Sequence, residues 1–415
     1  MIDREVGVPN RKLPRILFNT VPFGALDGDD NSDWLEYRLS TGGLASLMSV
    51  DRDSGGNTGN FFHWEAPSKI IDCNAAESKH MRLWPTISAS QRKDELKKHI
   101  ELNYDAIVIS EANFIQKETN FRVVTDFLSS LCGVDFYLFG AGVQDAAPQS
   151  FADLTQGTGD FLRLMDKKAS LFGTRGPQTS EALNNLGLHN HDEIGCPSLY
   201  AFPRQVMAIT SPTTIKKIAT AGHITKQSLL DGLQRAKAVE DIANKFDSAY
   251  VFQAELPGYN MHESLSGEIF APDFTFGLYD KISNTIDKHY INRYLSSLSG
   301  REFRFSKYYY FRDTISWRKA MESYDLYIGD RFHGGVACMQ VGKPAVFLTE
   351  DLRAAELASF IGAPTINASS FDAVNIPDII SDKFSDQRLS YFREKYMDRF
   401  NNFKSALRRA GLELK

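Results

Sequence analysis

The sequence predicts an α/β protein of two domains, each built on a parallel sheet, with a cleft between them. Three observations lead to this prediction. The chain has 415 residues, more than one hydrophobic core usually organises, so two domains are expected. Short apolar runs alternate with segments of helical periodicity, which is typical of parallel sheets covered by helices on both faces. The proline-containing stretch AFPRQVMAITSPTT, residues 201–214, separates two such series.

The elements follow in chain order from the apolar periodicity. In the first series we predict strands at Arg15–Asn19, Ala106–Ser110 and Phe136–Phe139, and helices at Phe121–Leu131, Gly159–Lys168 and Gln178–Leu186. In the second series we predict strands at Ala249–Gln253, Tyr308–Phe311, Leu326–Ile328 and Ala345–Leu348, and helices at 214–246, 315–323, 334–341 and 352–361. The predicted domains are therefore 1–205 and 206–380, followed by a C-terminal amphipathic helix at 381–415.

The C-terminal helix has an apolar face and basic residues between its apolar positions. The apolar face consists of Leu389, Phe392, Tyr396, Phe400, Phe403 and Leu407. The basic residues are Arg393, Lys395, Arg399, Lys404, Arg408 and Arg409. Spacings of three and four predict one helix face packed on the protein body. The basic residues are then either solvated or in peripheral contact with anionic lipid, and the sequence leaves both alternatives open.

Composition and charge exclude several functional classes. A net charge of −5 argues against a nucleic-acid partner. The N-terminus has no apolar segment of signal-peptide length, and no apolar run approaches the roughly 18 residues of a membrane span, so we expect a cytoplasmic protein. The four cysteines lie far apart without metal-binding spacing, which predicts reduced, mostly buried thiols and no metal site.

The stretch YDLYIGDRFHGGVACMQVG, residues 324–342, combines a strand with polar residues at its carboxyl end. Arg331 offers a planar guanidinium that suits a carboxylate or a phosphate. His333 offers the side chain whose ordinary pKa lies near neutrality, which suits a general acid or base. Gly334 and Gly335 are expected to allow a sharp helix entry whose N-terminus approaches the same anion. The alternative for His333 is a structural histidine that bonds a carbonyl.

A second arginine, Arg175, follows the apolar run LFGT and precedes Pro177, a residue suited to the first helical turn. Because Arg331 occupies the equivalent place in the second domain, the two arginines are predicted to hold a dianion from two sides. The alternative is an arginine in a salt bridge at a domain edge. In TEDLRAAEL, Asp351 is expected to cap a helix, while Arg353 or Glu356 is predicted to face the pocket of His333.

Two glycine-containing loops complete the candidate cleft. The loop SGGNTGN, residues 54–60, brings little side-chain bulk and is predicted to admit a sugar or phosphate close to its backbone, with a surface turn as the alternative. The second, FGAGVQD at 139–145, follows a predicted strand and indicates a glycine turn that lines the cleft. The first loop is not a Walker A loop, because no Lys-Ser/Thr follows it, and the second is a weak match to a dinucleotide-binding fingerprint that lacks the third glycine.

The stretches GGNTGN, TRGPQTSEALNNLGL, IGCPSLY and IGDRFHGGVACMQVGKPAVFLTEDLRAAEL together resemble the polysaccharide pyruvyl transferases, in order over about residues 54–365. The resemblance implies two Rossmann-like domains in a glycosyltransferase-B-like arrangement. It also implies an enzyme that moves pyruvate from phosphoenolpyruvate onto two hydroxyls of a sugar as a ketal. By similarity the donor-binding residues are Arg175, Arg331, Phe332, Gly334 and Arg353, the catalytic residues are Arg331 and His333, and the acceptor or cleft loop contains Asn57, Gly59 and Asn60. The family's loop often ends in Gly-Asp, whereas this chain has Gly59-Asn60.

The resemblance implies no cofactor, since phosphoenolpyruvate is the donor substrate. The partner is a saccharide acceptor of an exopolysaccharide or its precursor. Whether that acceptor is lipid-linked, whether the protein works at the inner face of the membrane, and its oligomeric state stay open. Two other hypotheses are a nucleotide-sugar-dependent glycosyltransferase of the same fold and a catalytically silent carbohydrate-binding protein.

Overall fold

The computed structural model describes residues 12–20, 54–144, 146–222, 224, 233–254, 279–280, 285–286, 288–311, 313–350 and 352–415. Within these ranges the chain forms two sheets, one of six strands and one of eight, with helices packed on them. The predicted α/β fold class is confirmed: two Rossmann-like units, each built on a mainly parallel sheet, with a cleft between them.

The first sheet is entirely parallel. Its strands are β1 (Ile16–Asn19), β2 (Lys79–Met81), β3 (Ala106–Ser110), β4 (Asp135–Ala141), β5 (Ala169–Thr174) and β6 (Asp192–Glu193), in the order β2-β1-β3-β4-β5-β6. Its helices are α1 (Asn60–Ile70), α2 (Leu83–Ala89), α3 (Lys93–Asn103), α4 (Arg122–Ser130), α5 (Gln156–Lys168), α6 (Pro177–Asn185) and α7 (Pro203–Met207). The chain order reverses between β1 and β3, which makes the carboxyl ends of these strands a topological switch point.

The second sheet carries six parallel strands and an antiparallel edge. Its strands are β7 (Lys217–Thr220), β8 (Asp247–Val251), β9 (Tyr279–Asp280), β10 (Thr285–Ile286), β11 (Lys307–Tyr309), β12 (Leu326–Gly329), β13 (Ala345–Thr349) and β14 (Thr365–Asn367), in the order β14-β13-β12-β7-β8-β11-β10-β9. Its helices are α8 (Gln234–Lys245), α9 (Lys288–Ser299), α10 (Thr314–Met321), α11 (Phe332–Met339), α12 (Leu352–Phe360), α13 (Ile376–Lys383) and α14 (Asp386–Arg409). The switch point of this sheet lies between β7 and β12.

One predicted element is wrong. The helix predicted at 214–246 contains a strand, β7, and the helix α8 begins only at Gln234. Strand β7 pairs with β8 on one side and with β12 on the other, so its hydrogen-bond partners are distant in sequence. A four-residue strand offers too few positions for alternation to show beside a periodic helix, and only tertiary pairing reveals it.

Strand alternation places apolar residues on both faces of the first sheet. Ile16 and Phe18 of β1 belong to one hydrophobic cluster, and Leu17 between them belongs to the other. The first of these clusters continues through α1 and α14 to the second sheet, where it includes Ile328 and Val346. The two sheets are therefore joined by a shared apolar core as well as by the chain.

The C-terminal helix α14 crosses back to the first sheet. Phe403 lies 6.3 Å from Phe139 of β4, measured between ring centroids, and Tyr137 donates a hydrogen bond to the carbonyl of Ala410 at 3.2 Å. The chain end bonds to the segment after α1, where Asp72 N donates to Glu413 O at 2.8 Å. These contacts tie the end of the chain to its first half. The predicted boundaries near 205 and 380 stay a prediction.

Candidate active site

A cavity of about 90 Å³ lies where the carboxyl ends of the strands of both sheets meet. It is lined by Asn57, Asn60, His63, Ala112, Asn113, Gly140, Arg175, Cys196, Gln253, Asp330, Arg331, Phe332, His333, Ala354 and Leu357. The structure thus brings together six of the residues predicted from the sequence: Asn57, Asn60, Arg175, Arg331, Phe332 and His333. Open parallel sheets usually bind ligands at this edge, so the cavity is the candidate active site.

Arg331 and His333 reach the cavity from the switch point of the second sheet. Arg331 is the N-cap residue of α11, directly after β12, and is half-buried. Its carbonyl accepts hydrogen bonds from Tyr327 Oη at 2.6 Å and from Gly334 N at 3.1 Å, which holds the turn. The N-terminus of α11 therefore opens towards the cavity beside the guanidinium, an arrangement that favours an anion.

The two glycines after His333 have a different role from the predicted one. They lie inside α11, which begins at Phe332, and Gly334 is not among the cavity-lining residues. A Cβ on Gly334 would stand 2.7 Å from the ring of Tyr327, and one on Gly335 would overlap the ring of Phe347. The glycines are thus needed because the helix packs directly on aromatic rings of β12 and β13, and they do not give the ligand room.

Asp330 is a cavity residue that the sequence did not single out. It lies at the end of β12, is buried, and its Oδ2 stands 4.0 Å from Nε of Arg235. Its backbone N–H donates to the carbonyl of Ala221 at 3.0 Å, which extends the pairing of β12 with β7 by one residue. The signal in the sequence was its place directly before Arg331 at the predicted strand end.

Arg175 lies in the cavity wall, but its guanidinium is already engaged within the protein. Its Nε donates to Glu356 Oε2 at 3.0 Å, and its two terminal nitrogens donate to Asn113 Oδ1 and to the carbonyl of Val143. Asn113 itself adopts a positive φ of 58°, a conformation that asparagine tolerates better than most residues. The salt-bridged alternative therefore describes Arg175 in this structure.

Glu356 fills the anion site that the sequence predicted beside Arg175. Its Oε1 accepts hydrogen bonds from the backbone N–H groups of Gln178 and Thr179, at 2.9 and 3.3 Å, in the first turn of α6. The carboxylate thus combines an arginine with a helix N-terminus and links α12 of the second unit to the first unit. Arg353 was predicted on the same helix, and its side chain lies outside the described residues, as does Asp351.

The loop Ser54–Asn60 forms a wall of the cavity where the two units meet. The backbone N–H of Thr58 donates to the carbonyl of Gln253, after β8, at 2.9 Å. A Cβ on Gly59 would stand 2.6 Å from Gln253 Oε1 and 3.1 Å from His333 Cβ, so a side chain here would displace the Gln253 amide and crowd His333. Asn60 Nδ2 donates to the carbonyl of Ser54 at 2.9 Å and closes the loop. The alternative of a surface turn holds for the exposed Gly55 and Gly56, whereas Asn57 and Asn60 line the cavity.

Two histidines and a cysteine stand together in the cavity wall. Cys196 Sγ lies 3.4 Å from His63 Nδ1, 3.4 Å from His333 Nε2 and 3.0 Å from Ser198 Oγ. The sequence did not predict this array, because His63 lies in a helix-like run without motif spacing and the cysteine is more than a hundred positions from either histidine. Only the fold of the chain brings the three side chains into contact.

Burial keeps these groups neutral near pH 7. Burial lowers the pKa of His333 to about 4 and that of His63 to about 3. The pKa of His63 is lowered further by the charge that His333 would carry if protonated and by Arg175, and is raised in part by the backbone of Phe139. Burial raises the pKa of the Cys196 thiol to about 11. The array in this structure therefore consists of two neutral imidazoles and a protonated thiol.

Glu111 is a second titratable group that the sequence did not predict. It follows β3 at the switch point of the first sheet, where it accepts hydrogen bonds from Trp84 Nε1 at 2.5 Å and from Asn19 Nδ2 at 3.4 Å. Burial raises the pKa of its carboxyl to about 7. Its neighbours in sequence, Ala112 and Asn113, line the cavity.

The neutral histidines predict a protein that loses stability in acid. In the unfolded chain an imidazole titrates near pH 6.5, so between about pH 6.5 and pH 4 the unfolded state binds protons that the folded state does not. Stability is therefore present above this window and is lost as the pH falls through it. At about 1.4 kcal/mol per pKa unit, His63 alone is expected to lower the free energy of unfolding by on the order of 3 kcal/mol across this pH window. The raised pKa of Glu111 acts in the opposite direction between about pH 7 and 4.5 and offsets part of it.

Urea unfolding at about pH 7 and about pH 5 measures this dependence. The loss on acidification should be smaller in a His63→Gln variant. His99→Gln, which changes an exposed histidine, should keep the wild-type loss. An unchanged loss in His63→Gln would show that His63 is not neutral in the folded protein.

The basic residues of α14 are largely engaged within the protein. Arg393 donates to the carbonyls of Met207 and Ile209, and Arg399 donates to the carbonyl of Phe360. Arg409 forms an ion pair with Asp192 at 2.6 Å. The predicted packing of the helix on the body is confirmed by its buried residues Leu389, Phe392, Tyr396, Phe403 and Leu407. Contact with anionic lipid stays a prediction.

Two further properties of the described residues bear on the predictions. No helix among them is long and apolar enough to pass through a bilayer, and none of their His, Cys, Asp and Glu side chains form a group of three or more suited to a metal ion. The cysteines are free thiols, with Cys73, Cys196 and Cys338 buried and Cys132 exposed, which agrees with the predicted mostly buried thiols.

A family model described as polysaccharide pyruvyl transferase matches residues 57–351 of this chain. No curated protein matches the chain. Among solved structures, it is similar to UDP-GlcNAc 2-epimerase from Neisseria meningitidis bound to UDP-GlcNAc, with a TM-score of 0.40, 9% identity, and coverage of 77% of this chain and 80% of that chain. The chain is also similar to Anabaena Alr3699/HepE in complex with UDP and glucose, with a TM-score of 0.39, 12% identity, and coverage of 79% of this chain and 80% of that chain. Its similarity to sucrose-phosphate synthase from Thermosynechococcus elongatus has a TM-score of 0.40, 10% identity, and coverage of 82% of this chain and 83% of that chain. At these identities and TM-scores the structural similarity carries no argument about activity.

Proposed function

This chain belongs to the polysaccharide pyruvyl transferase family, and from that premise we propose that it transfers pyruvate from phosphoenolpyruvate to a saccharide as a ketal. The observation that carries the proposal is the unit formed by β12 and α11. It presents the Arg331 guanidinium, a helix N-terminus and the imidazole of His333 to one cavity between two sheets. An anionic substrate that must be protonated needs a cation to bind it and an acid–base group beside that cation, and this unit offers both.

The chemistry of the donor matches this arrangement. Phosphoenolpyruvate carries a carboxylate and a phosphate, and guanidinium and backbone N–H groups at a helix N-terminus bind such anions. Protonation of its methylene carbon creates an oxocarbenium-like centre, which one sugar hydroxyl attacks with loss of its proton. Phosphate then leaves, and the second hydroxyl closes the ketal with loss of a second proton. The pyruvate carbons end on the saccharide, and inorganic phosphate is released.

In the proposed mechanism His333 acts first as a base. Its lowered pKa of about 4 makes it neutral near pH 7 in the unliganded protein, so it accepts a proton from a sugar hydroxyl. An anionic donor bound beside it would raise that pKa, because a nearby negative charge favours the imidazolium form. Arg331 stabilises the donor anion. Arg175, which is paired with Glu356, supports the cavity wall and adds only a partly neutralised charge.

The loop that contains Asn57, Gly59 and Asn60 is the proposed acceptor side. Its backbone borders the cavity opposite α12, and two amide side chains offer the neutral donors and acceptors that sugar hydroxyls use. The acceptor is proposed to be a saccharide of an exopolysaccharide or its precursor. A lipid-linked acceptor would bring the protein to a membrane surface, and α14 is the candidate contact.

Calorimetric titration with phosphoenolpyruvate tests the proposal through Arg331. Charge-assisted hydrogen bonds contribute about 1.5–3 kcal/mol each, so Arg331→Lys, which removes the planar fork, should raise the Kd roughly 10- to 100-fold. Arg331→Ala should abolish measurable binding. Arg92→Lys, a change at an exposed arginine on the surface ion pair with Glu95, should bind as the wild type does.

The same titrations with UDP sugars separate the proposal from its rival. Binding of a UDP sugar without binding of phosphoenolpyruvate would overturn pyruvyl transfer in favour of a nucleotide-sugar-dependent glycosyltransferase. Wild-type affinity for phosphoenolpyruvate in Arg331→Lys would show that the guanidinium does not hold the donor. Phosphate release that depends on an added oligosaccharide, with a matching mass gain of that oligosaccharide, would support ketal formation directly.

A further inference from the structure

The cavity contains a second imidazole, His63, to which the proposed function assigns no role. Its side chain is 1% exposed and lines the cavity from α1. Its Nδ1 contacts Cys196, while its Nε2 has no hydrogen-bond partner among the described residues. Gly140 makes room for it, since a Cβ there would overlap the imidazole carbon Cε1. A buried ring nitrogen at a cavity wall without a protein partner is available to a ligand.

Cys196 connects this imidazole to His333. Its sulfur stands 3.4 Å from Nδ1 of His63 and 3.4 Å from Nε2 of His333, both within reach of a hydrogen bond that involves sulfur. A protonated thiol has one hydrogen, which it can donate to only one of the two rings. Ser198 Oγ, 3.0 Å from the sulfur, is a third partner and can donate its own hydroxyl hydrogen to it. With Ser198 donating and the thiol donating to one ring, the other ring donates its N–H to the sulfur, so the nitrogens that face Cys196 carry one proton between them.

This constraint couples the tautomers of the two histidines. When the thiol donates to His63 Nδ1, the proton of His63 is on Nε2, where it can be given to a ligand. In that state His333 donates from Nε2 to the sulfur, and its Nδ1 is free of a proton and can act as a base. Four moves reverse both tautomers: a proton enters His333 at Nδ1, one passes from His333 Nε2 to sulfur, one passes from sulfur to His63 Nδ1, and one leaves His63 from Nε2. Together they leave no net charge in the buried array.

We propose that His63 is a further catalytic residue, the proton donor to the methylene carbon of the donor, and that Cys196 is a positioning residue that couples His63 to His333. This inference rests on the proposed function. The proton that a sugar hydroxyl loses enters His333 at Nδ1, and the Nε2 proton of His333 passes to Cys196 Sγ. The thiol proton passes to His63 Nδ1, and the Nε2 proton of His63 forms the new C–H bond. One proton enters the array and one leaves it.

The reaction needs this kind of balance. Its first stage takes one proton from a sugar hydroxyl and adds one to the methylene carbon. A relay that carries a proton from one side of the cavity to the other supports both transfers. Neutral imidazoles are suited to donate in buried sites, as the neutral histidine of triosephosphate isomerase does. A neutral relay also avoids an unpaired charge in the apolar wall, which would be costly. Phe62, stacked on His333 with ring planes 8° apart, helps to exclude water.

Nitrogen NMR of the wild-type protein labelled with ¹⁵N-histidine tests the coupling without any substrate. Near pH 7 both rings should be neutral and in opposite states at the nitrogens that face Cys196, one protonated and one bare. In Cys196→Ala this relation should disappear, whereas Cys196→Ser, whose hydroxyl can donate and accept, should retain it. Cys338→Ala removes a different buried thiol, in the helix α11 that also carries His333, and should leave the nitrogen signals of both histidines unchanged. Protons on both facing nitrogens, or a charged ring, would overturn the proposal.

Turnover measurements test the catalytic step. His63→Gln should lower kcat roughly 10²- to 10⁴-fold, the usual effect of losing an acid–base group, with little change in the Kd for phosphoenolpyruvate. Incorporation of solvent deuterium into the methyl group of the product should fall by the same factor. A His63→Gln enzyme with wild-type kcat would overturn the role of His63. If the wild type itself consumes no phosphoenolpyruvate with any saccharide, the proposed function fails, whereas opposite tautomers would still establish the coupled array.

Discussion

Replacing Arg318 by alanine is expected to lower the free energy of unfolding by about 3–5 kcal/mol, because it leaves the buried Glu65 carboxylate with only the distant Lys69 ammonium, at 3.9 Å, as an ionic partner among the described residues. Arg318 of α10 donates to both carboxylate oxygens of Glu65 in α1, at 2.8 and 3.0 Å, and thereby joins the two units. The Arg318 and Glu65 side chains are 10% and 4% exposed. The guanidinium also donates to Gln340 Oε1 and Thr314 Oγ1, so its removal disrupts a whole buried network.

Urea unfolding of Arg318→Ala against the wild type gives the measurement. Lys319→Ala is the matched control on the same helix, since its ion pair with Glu322 is exposed and should contribute little. A double variant, Arg318→Met with Glu65→Met, removes both charges and keeps apolar volume, so it should recover most of the loss. A single variant as stable as the control would mean that the Glu65 carboxylate is not effectively buried.

Replacing His333 by alanine is expected to reduce kcat for pyruvyl transfer roughly 10²- to 10⁴-fold, the contribution of a positioned acid–base group. The affinity for phosphoenolpyruvate should change much less, because Arg331 and the N-terminus of α11 stay in place. The split between kcat and Kd separates a catalytic role from a binding role. Phosphate release and product mass at saturating donor give kcat, and calorimetric titration with phosphoenolpyruvate gives Kd.

His189→Ala is a suitable control for that experiment, since this histidine is exposed and bonds Asn184 away from the cavity. Its kcat should equal that of the wild type. If His333→Ala loses donor affinity and keeps kcat, the imidazole binds the donor and the proton transfers belong to another group. His63 would then be the first residue to examine, because it is the other histidine in the cavity wall.

The strand–helix unit that carries Arg331 and His333 could be predicted from the sequence because its signals are local. An apolar run that ends at a glycine, followed by polar residues and a second apolar segment, determines a strand end and a helix start within about twenty positions. The carboxyl ends of parallel strands gather at one edge, so residues placed there converge. The same reasoning predicts Arg175 in the candidate site, whereas Asn60 is predicted from its glycine-containing loop and from the family resemblance; both line the cavity.

Other features have no local signal. Strand β7 was predicted as part of a helix, and its strand conformation depends on pairing with β8 and β12. The sequence predicts that the glycines after His333 let a helix N-terminus approach the anion, but their necessity comes from the rings of Tyr327 and Phe347, which belong to two different strands. In both cases the deciding neighbours are far away along the chain.

The sequence by itself determined the α/β class, the placement of an arginine and a histidine at a strand end, and the family to which the chain is similar. Tertiary structure alone decided which charges remain available to a ligand. It placed Glu356 on Arg175 and Glu65 on Arg318, and it set Cys196 between two imidazoles. The physical reason is that burial and pairing depend on all neighbours within a few ångströms, and most of these come from distant segments whose approach no local pattern encodes.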